Sequence, residues 1–182
     1  PWDWVGHLAG PGDDQIRAVA GDREGNTFVL AASASVGLPF TEDAPGAYSF
    51  PRLFLLKLDR EGKVVFSRLL SIGTFGALAV DSHGSAYVGG AGPDLVGFAT
   101  PGAYQTTVRG GAAFVAKFSP AGDKLFATYF GDRNALQLQS LSLDSEGNPH
   151  FCGSTADQEA VPLTEPTLFK PVARRFGGYC AK

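Results

Sequence analysis

The sequence has no methionine and, among its 182 residues, only two cysteines, two tryptophans and three histidines. With no Cys-x-x-Cys or His-x-x-x-His spacing, it offers no ligand set for zinc. No apolar run approaches the roughly 18 residues of a membrane-spanning helix. The net charge of −3 provides no basic surface for nucleic acid. We therefore expect no metal centre, no membrane span and no nucleic-acid partner.

Motifs for catalysis or cofactor binding are also missing. The serines lack the Gly-x-Ser-x-Gly frame of a hydrolase nucleophile, and Gly6, Gly10 and Gly12 lack the strand-to-helix context of a phosphate-binding loop. Asp13 and Asp14 offer oxygen ligands for Ca²⁺, although a solvated acidic turn is the preferred interpretation. We therefore predict no catalytic, cofactor-binding or metal-binding residue.

The chain begins at Pro1. Because it contains no methionine, we expect a processed mature chain, a fragment, or a sequence that lacks its leader.

What the sequence does contain is a repeat. A turn with Asp first and Gly fourth, followed by a short apolar strand, begins at Asp22, Asp81 and Asp144, about 60 residues apart. A second pattern, an apolar strand that ends in lysine, ends at Lys57, Lys117 and Lys182 with nearly the same spacing. Each repeat thus holds two hairpins, and four strands per repeat is the number in a propeller blade.

The predicted fold is therefore all-β, with three four-stranded antiparallel propeller-type blades in one domain over residues 1–182. The blade repeats cover approximately 11–70, 71–131 and 132–182, and an extra N-terminal strand covers 2–9. A long loop joins the two hairpins of each repeat. The preferred interpretation of the aromatic and aliphatic residues in these loops is that they pack each loop onto its own blade. The alternative is that they form a surface on the loop side of the blades where a partner docks. These residues are Phe40, Tyr48, Phe98, Tyr104, Leu163 and Phe169.

The landmarks of each repeat carry a resemblance. The motifs Tyr129-Phe130-Gly131, Asp144-Ser-Glu-Gly147-Asn148, Pro101-Gly-Ala-Tyr104 and Ala113-Phe-Val-Ala-Lys117 follow one another in the order found in the bacterial SBBP-type beta-propeller repeat family. The chain resembles that family over nearly its whole length, although the acidic turn of the first copy is absent from the second. The resemblance implies an exported, hence extracytoplasmic, propeller that is periplasmic, on the cell surface or secreted. It implies no catalytic motif.

The repeats are out of phase with the ends of the sequence. The third repeat stops at Lys182, before its fourth strand, whereas residues 2–9 align with the fourth strands of the other repeats, with Trp4 at the position of Phe66 and Phe126. An open strand edge favours pairing with another chain. We expect strand exchange or a protein partner to complete the third blade, and a symmetric exchange would give a six-bladed ring, whereas an unclosed one would give a filament. A larger parent protein is the remaining alternative. The predicted strand-exchange residues are Trp2, Trp4, Leu8, Tyr179 and Ala181.

The two cysteines, Cys152 and Cys180, occupy matched positions on strands that are expected to be neighbours. They are candidates for a disulfide, which export would favour. Buried free thiols that pack as small hydrophobic groups are the alternative.

Two classes of function remain open. The first is a non-enzymatic extracytoplasmic scaffold or protein-interaction module, which assembles with itself or serves as an accessory subunit of a larger complex. The second is a glycan-binding or hydrolytic propeller that uses its central funnel. The strands before the Asp turns should line that funnel, and they are nearly all apolar, with Arg17 as their single charge. The sequence therefore favours the first class.

Overall fold

The computed structural model describes residues 3–35, 51–72, 76–92, 97–131, 136–164 and 176–182. Within these ranges the chain forms eleven strands and one short 3₁₀ helix, Gln158–Ala160. The strands are β1 (Asp14–Gly21), β2 (Thr27–Ser33), β3 (Arg52–Leu58), β4 (Val64–Ile72), β5 (Gly76–Val80), β6 (Ala86–Gly92), β7 (Ala112–Phe118), β8 (Lys124–Phe130), β9 (Leu136–Leu143), β10 (Pro149–Thr155) and β11 (Gly177–Ala181). The described part of the chain has no helix that is long and apolar enough to cross a membrane.

The strands form three antiparallel sheets, each built from consecutive strands. Sheet 1 has the order β1-β2-β3-β4, sheet 2 the order β5-β6-β7-β8, and sheet 3 the order β9-β10-β11. The predicted all-β class is confirmed, and the chain divides into three sheets of four, four and three strands. The sheets do not close on themselves.

The hairpin turns follow from the Asp-to-Gly spacing. Asp22 accepts the backbone N–H groups of Glu24 and Asn26 on its Oδ1, while Gly25 takes the left-handed φ of 82° that a side chain would disfavour. The same arrangement recurs in the other repeats, at Asp81 and Asp144. Each hairpin therefore ends where its own turn residues fix the backbone.

Two apolar layers hold the stack together. Side chains of β3 alternate between faces, so Leu53 and Leu55 enter the layer between sheets 1 and 2, while Phe54 and Leu56 lie on the opposite face of sheet 1. The second layer joins sheets 2 and 3 and contains Tyr87, Val115, Phe130, Leu138, Phe151 and Tyr179. The first strands of the three sheets, β1, β5 and β9, contact one another in that order.

Within the single chain, the described residues 3–9 of the predicted N-terminal strand over 2–9 do not form a strand. Residues 4–10 have no strand structure, and Trp4 and Leu8 instead pack against the outer face of sheet 1, the face that points away from sheet 2. The physical reason is that these residues lie over a sheet face rather than beside a strand edge of the same chain, so no described strand of that chain pairs with them. Trp2 lies outside the described residues.

Close contacts between sheets involve glycines of the outer turns. A Cβ added at Gly122 would lie 2.9 Å from the ring of Phe66 on the neighbouring sheet, whereas a Cβ at Gly102 would meet nothing within 4 Å. The two glycines have φ values of 87° and 79°, so alanine at either position carries a similar backbone cost, roughly 1–2 kcal/mol.

We therefore predict that Gly122→Ala lowers the free energy of unfolding more than Gly102→Ala does, by about 1–3 kcal/mol, because only the first variant also pushes Phe66 out of the layer. Chemical denaturation of both variants measures the difference. Equal losses would show that the turn of sheet 2 does not pack tightly on sheet 1.

Candidate functional site: the repeated ion pair and the free edge of the third sheet

The two sequence patterns of each repeat meet in space. The Asp that opens the inner turn pairs with the Lys of the third strand: Asp22 Oδ2 lies 3.8 Å from Lys57 Nζ, Asp81 Oδ2 3.2 Å from Lys117 Nζ, and Asp144 Oδ2 2.8 Å from Lys182 Nζ. In the first two sheets an aromatic ring completes the unit, since Lys57 lies over Phe28 and Lys117 over Tyr87. This Asp–Lys unit joins the first hairpin of a sheet to its third strand.

The aspartates of this unit are charged and well satisfied. Burial alone would raise the pKa of Asp81, but the backbone N–H groups of Ser85 and His83 and the Lys117 ammonium lower the pKa below its usual value. Burial would likewise raise the pKa of Asp22, but hydrogen bonds from Asn26 and the nearby charge of Lys57 lower the pKa below its usual value. The pKa of Lys117 is raised, mainly by the hydrogen bond with Tyr87 and also by Asp81, although burial alone would lower it. The unit is therefore a structural ion pair.

The third copy of the unit is more exposed to solvent than the other two. His150 stands where the other copies have an aromatic ring, with its Nε2 3.4 Å from Asp144 Oδ2. The Lys182 ammonium and the Asn148 amide hold the pKa of Asp144 far below its usual value. The Lys182 side chain is 56% exposed, compared with 9% for Lys57. Lys57 is covered because its Nζ also donates to the carbonyl of Pro120 in the outer turn of sheet 2.

Strand β11 is fixed firmly to β10. Cys152 and Cys180 face each other across the two strands and are joined by a disulfide; Cys180 is exposed and Cys152 half-buried. On the opposite face, Tyr179 packs against Phe130 and Phe151 and donates its hydroxyl to the Gln137 carbonyl. Burial raises the pKa of that hydroxyl well above its usual value. The third strand of sheet 3 is thus ordered although no fourth strand lies beside it among the described residues.

The outer edge of β11 is the candidate functional site. In sheets 1 and 2 the third strands, β3 and β7, pair with β4 and β8, but no described residue pairs with the far side of β11. The Cα atoms of Cys152 and Cys180 are 4.1 Å apart, which matches the short spacing, about 4.5 Å, of a non-hydrogen-bonded antiparallel pair. Because hydrogen-bonding direction alternates along a strand, the N–H and C=O groups of Gly178 and Cys180 point to the free edge.

The predicted interaction residues are spread over the molecule. Tyr179 and Ala181 lie on β11, whereas Trp4 and Leu8 lie on sheet 1. Among the loop residues, Phe98 packs edge-to-face on Phe114 with ring centroids 4.9 Å apart, while Tyr104 is 74% and Leu163 50% exposed. Phe40, Tyr48 and Phe169 lie outside the described residues. Of the described loop residues, Phe98 is thus packed against the layer between sheets 1 and 2, whereas Tyr104 and Leu163 are exposed.

Sequence reasoning missed one groove. A depression of about 320 Å³ between sheets 1 and 2 is lined by Arg68, Leu69, Phe98, Phe118, Gly122, Asp123 and Lys124. Its two cations are already engaged, since Arg68 Nε donates to the Gly122 carbonyl and Lys124 Nζ to the Phe98 carbonyl. Burial lowers the pKa of Lys124. No sequence pattern pointed to the groove, because its residues come from separate repeats.

No cluster of three or more His, Cys, Asp or Glu side chains that could hold a metal ion occurs in the described part of the chain. Asp14, considered above for Ca²⁺, accepts hydrogen bonds from Ser33, Ser35 and the Gly10 backbone. Its carboxylate therefore serves to fix the start of β1.

Comparison with known proteins adds little. A scan against models of protein families finds no match, and a search of curated proteins finds none either. Among solved structures, the chain is similar to a protein of unknown function from Bacteroides caccae, with a TM-score of 0.41 and 12% identity over 85% of this chain. The chain spans 46% of the length of that protein. At this level of similarity, no argument about fold or function rests on the match.

The Asp–Lys unit generates a prediction about acid stability. Because the folded pKa of Asp81 lies below its unfolded value, Asp81 contributes stability that is present above about pH 4 and is lost as the pH falls through the folded pKa. Asp81→Asn should therefore cost about 1–2 kcal/mol at pH 7 and lose less stability than the wild type between neutral and acid pH. Urea unfolding across this range is the measurement, with exposed Glu61→Gln as the control. Parallel pH profiles for wild type and Asp81→Asn would contradict the assigned role.

The disulfide generates a second prediction. It closes a loop with a sequence separation of 28 residues, so reduction should lower the free energy of unfolding by about 3–4 kcal/mol in the chain-entropy model. Guanidinium unfolding with and without a reductant measures the change. The double variant Cys152→Ser/Cys180→Ser is the control, because the reductant should leave its midpoint unchanged. An identical midpoint for reduced and oxidised wild type would contradict the prediction.

Proposed function

We propose that this chain is a non-enzymatic, extracytoplasmic protein-interaction module built from propeller repeats, and that it assembles by adding a strand to the free edge of β11. The observation that carries the proposal is an ordered third strand with an unpaired edge. Tyr179 and the disulfide hold β11 in place, while its outward backbone groups have no strand partner among the described residues. Strand addition to such an edge is a common mode of protein recognition.

The propeller interpretation is supported by the regularity of the stack. Each sheet repeats the same Asp–Lys unit, the sheets pack face to face through apolar layers, and the first strands lie side by side at one end. Stacked four-stranded sheets with this regularity are the arrangement expected of propeller blades, which supports this part of the proposal. The SBBP-type resemblance of the sequence is consistent with this proposal.

An extracytoplasmic location is supported by the disulfide. Disulfides persist in oxidising compartments and are rare in the cytosol, and the Cys152–Cys180 bond involves an exposed residue. A glycan-binding or hydrolytic function in a central funnel has no comparable support, because β1, β5 and β9 carry only Asp14 and Arg17 as charged residues, and Asp14 is engaged with Ser33 and Ser35.

A single substitution tests the use of the β11 edge. Gly178→Pro removes an N–H that points to the free edge and places a ring there, so self-association should weaken about tenfold or more. Gly178→Ala is the matched control, because it keeps the N–H and its Cβ would meet only the Gly153 carbonyl at an ordinary 3.7 Å.

Light scattering coupled to size exclusion, at micromolar concentrations, measures the association. We expect the wild type and Gly178→Ala to associate and Gly178→Pro to do so far less, with unchanged circular dichroism. A wild type that stays monomeric, or a Gly178→Pro variant that associates as the wild type does, would overturn the proposal.

A further inference from the structure

The position of the N-terminal segment repeats a contact found between the sheets. Phe66 on β4 of sheet 1 lies against Gly122 in the outer turn of sheet 2, where an added Cβ would be 2.9 Å from its ring. Trp4 lies against Gly62 in the outer turn of sheet 1, where an added Cβ would also be 2.9 Å from its ring. Gly62 and Gly122 hold the same place in their repeats. Trp4 thus contacts the outer turn of sheet 1 in the same way as Phe66, on the fourth strand of sheet 1, contacts the outer turn of sheet 2.

A second side chain agrees with this placement. In β4, Leu70 follows Phe66 by four residues and enters the same layer against sheet 2. Leu8 follows Trp4 by the same number of residues and packs on the outer face of sheet 1 with it. Side chains two and four residues apart share a face of an extended strand. The spacing of Trp4 and Leu8 therefore matches a fourth strand of a sheet that would precede sheet 1.

The outer face of sheet 1 is itself a repeat of a buried interface. Three of its buried residues are Val29, Phe54 and Leu58. The residues at the same repeat positions in sheet 2 are Val88, Phe114 and Phe118, and they are buried in the layer between sheets 1 and 2. Its edge is uncovered, however: Val19, which pairs with Val29 across the strands, is 64% exposed. The centre of the face is thus buried, with Phe54 0% and Val29 5% exposed, and the face is apolar and open to a further sheet along β1.

Sheet 3 has the complementary outer face. On the face of sheet 1 that packs on sheet 2, Leu30 lies opposite Leu55. The corresponding pair on sheet 3 is Cys152 and Cys180, whose disulfide faces outward at an exposed position. A disulfide is apolar enough to replace such a pair, so the outer face of sheet 3 offers an apolar contact where a following sheet would lie.

We infer that the docking partner is a second copy of this chain: its sheet 3 packs on the outer face of sheet 1, and its β11 pairs antiparallel with residues 4–8 of the first copy. This inference rests on the proposed function and names the strand that the β11 edge receives. The register follows from the two complete sheets, in which Phe66 pairs with Lys57 and Phe126 with Lys117. Trp4 of one copy then lies opposite Lys182 of the other, Val5 opposite Ala181, and His7 opposite Tyr179.

The inference explains two exposed side chains. Val5 is 84% exposed, but its counterpart in β8, Ala127, is fully buried between sheets. Lys182 is more than half exposed, but its counterpart Lys57 donates to a carbonyl of the next outer turn, that of Pro120. In the paired copies the Arg60 carbonyl corresponds to that of Pro120. Both side chains are thus accounted for by the same docking.

Site-specific photocrosslinking between isotopically distinct copies tests the register. A photoreactive residue at Val5 of a ¹⁵N-labelled chain, mixed with unlabelled chain and irradiated, should attach to the other copy around Ala181, and moving it to His7 should shift the attachment toward Tyr179. The control position is Tyr104, which is 74% exposed and lies outside the docking surface. Peptide mass spectrometry locates each attachment and tells from the isotopes whether it joins two copies or lies within one.

The possible outcomes separate this inference from the function on which it rests. Links from Val5 and His7 to β11 of another copy, in the stated order, support it. Links within one copy, links from Tyr104 in preference to Val5, or attachment in the opposite order overturn the second-copy register. If the chain associates through the β11 edge but none of these links forms, the inference fails while the proposed function stands. If the chain does not associate at all, both fail.

Discussion

The ion pair between the turn aspartate and the third-strand lysine is the constraint on which each sheet depends. Strands β2 and β3 are separated by a long connection, so their pairing closes a loop with a considerable entropic cost. Asp22 organises its own turn through two backbone hydrogen bonds and also reaches Lys57, and Asp81 does the same with Lys117. One carboxylate therefore fixes both the end of the first hairpin and the register of the strand that follows the long loop.

The same lysine also links one sheet to the next. Lys57 donates to the Pro120 carbonyl, and Arg68 to that of Gly122, so the outer turn of sheet 2 is tied to sheet 1 just where Phe66 meets Gly122. Polar contacts at the rim and apolar side chains in the layer thus act together. Sheet 3 carries the lysine but has no such neighbour among the described residues, and the Lys182 side chain is more than half exposed.

Much of this could be predicted from the sequence, because the relevant signals are local or periodic. The Asp-to-Gly turns and apolar strands predicted the all-β class and the three sheets, and the equivalence of Cys152 and Cys180 predicted neighbours that the structure joins by a disulfide. The alignment of Trp4 with Phe66 predicted a strand, which residues 3–10 do not form within one chain, where Trp4 packs on the outer face of sheet 1 instead. The groove at Arg68 and Lys124 was missed because it forms only when separate repeats pack together.

The central claim is that the free edge of β11 is occupied by a strand of another copy when the protein assembles. Amide hydrogen exchange of the wild-type chain, followed residue by residue at high and low protein concentration, tests this most directly. The account predicts that the amides of Gly178 and Cys180 are protected at high concentration, as is the amide of Val115 on the fully paired β7, and lose this protection on dilution while Val115 keeps it. Rapid exchange of both amides at every concentration, with Tyr179 still protected, would contradict it.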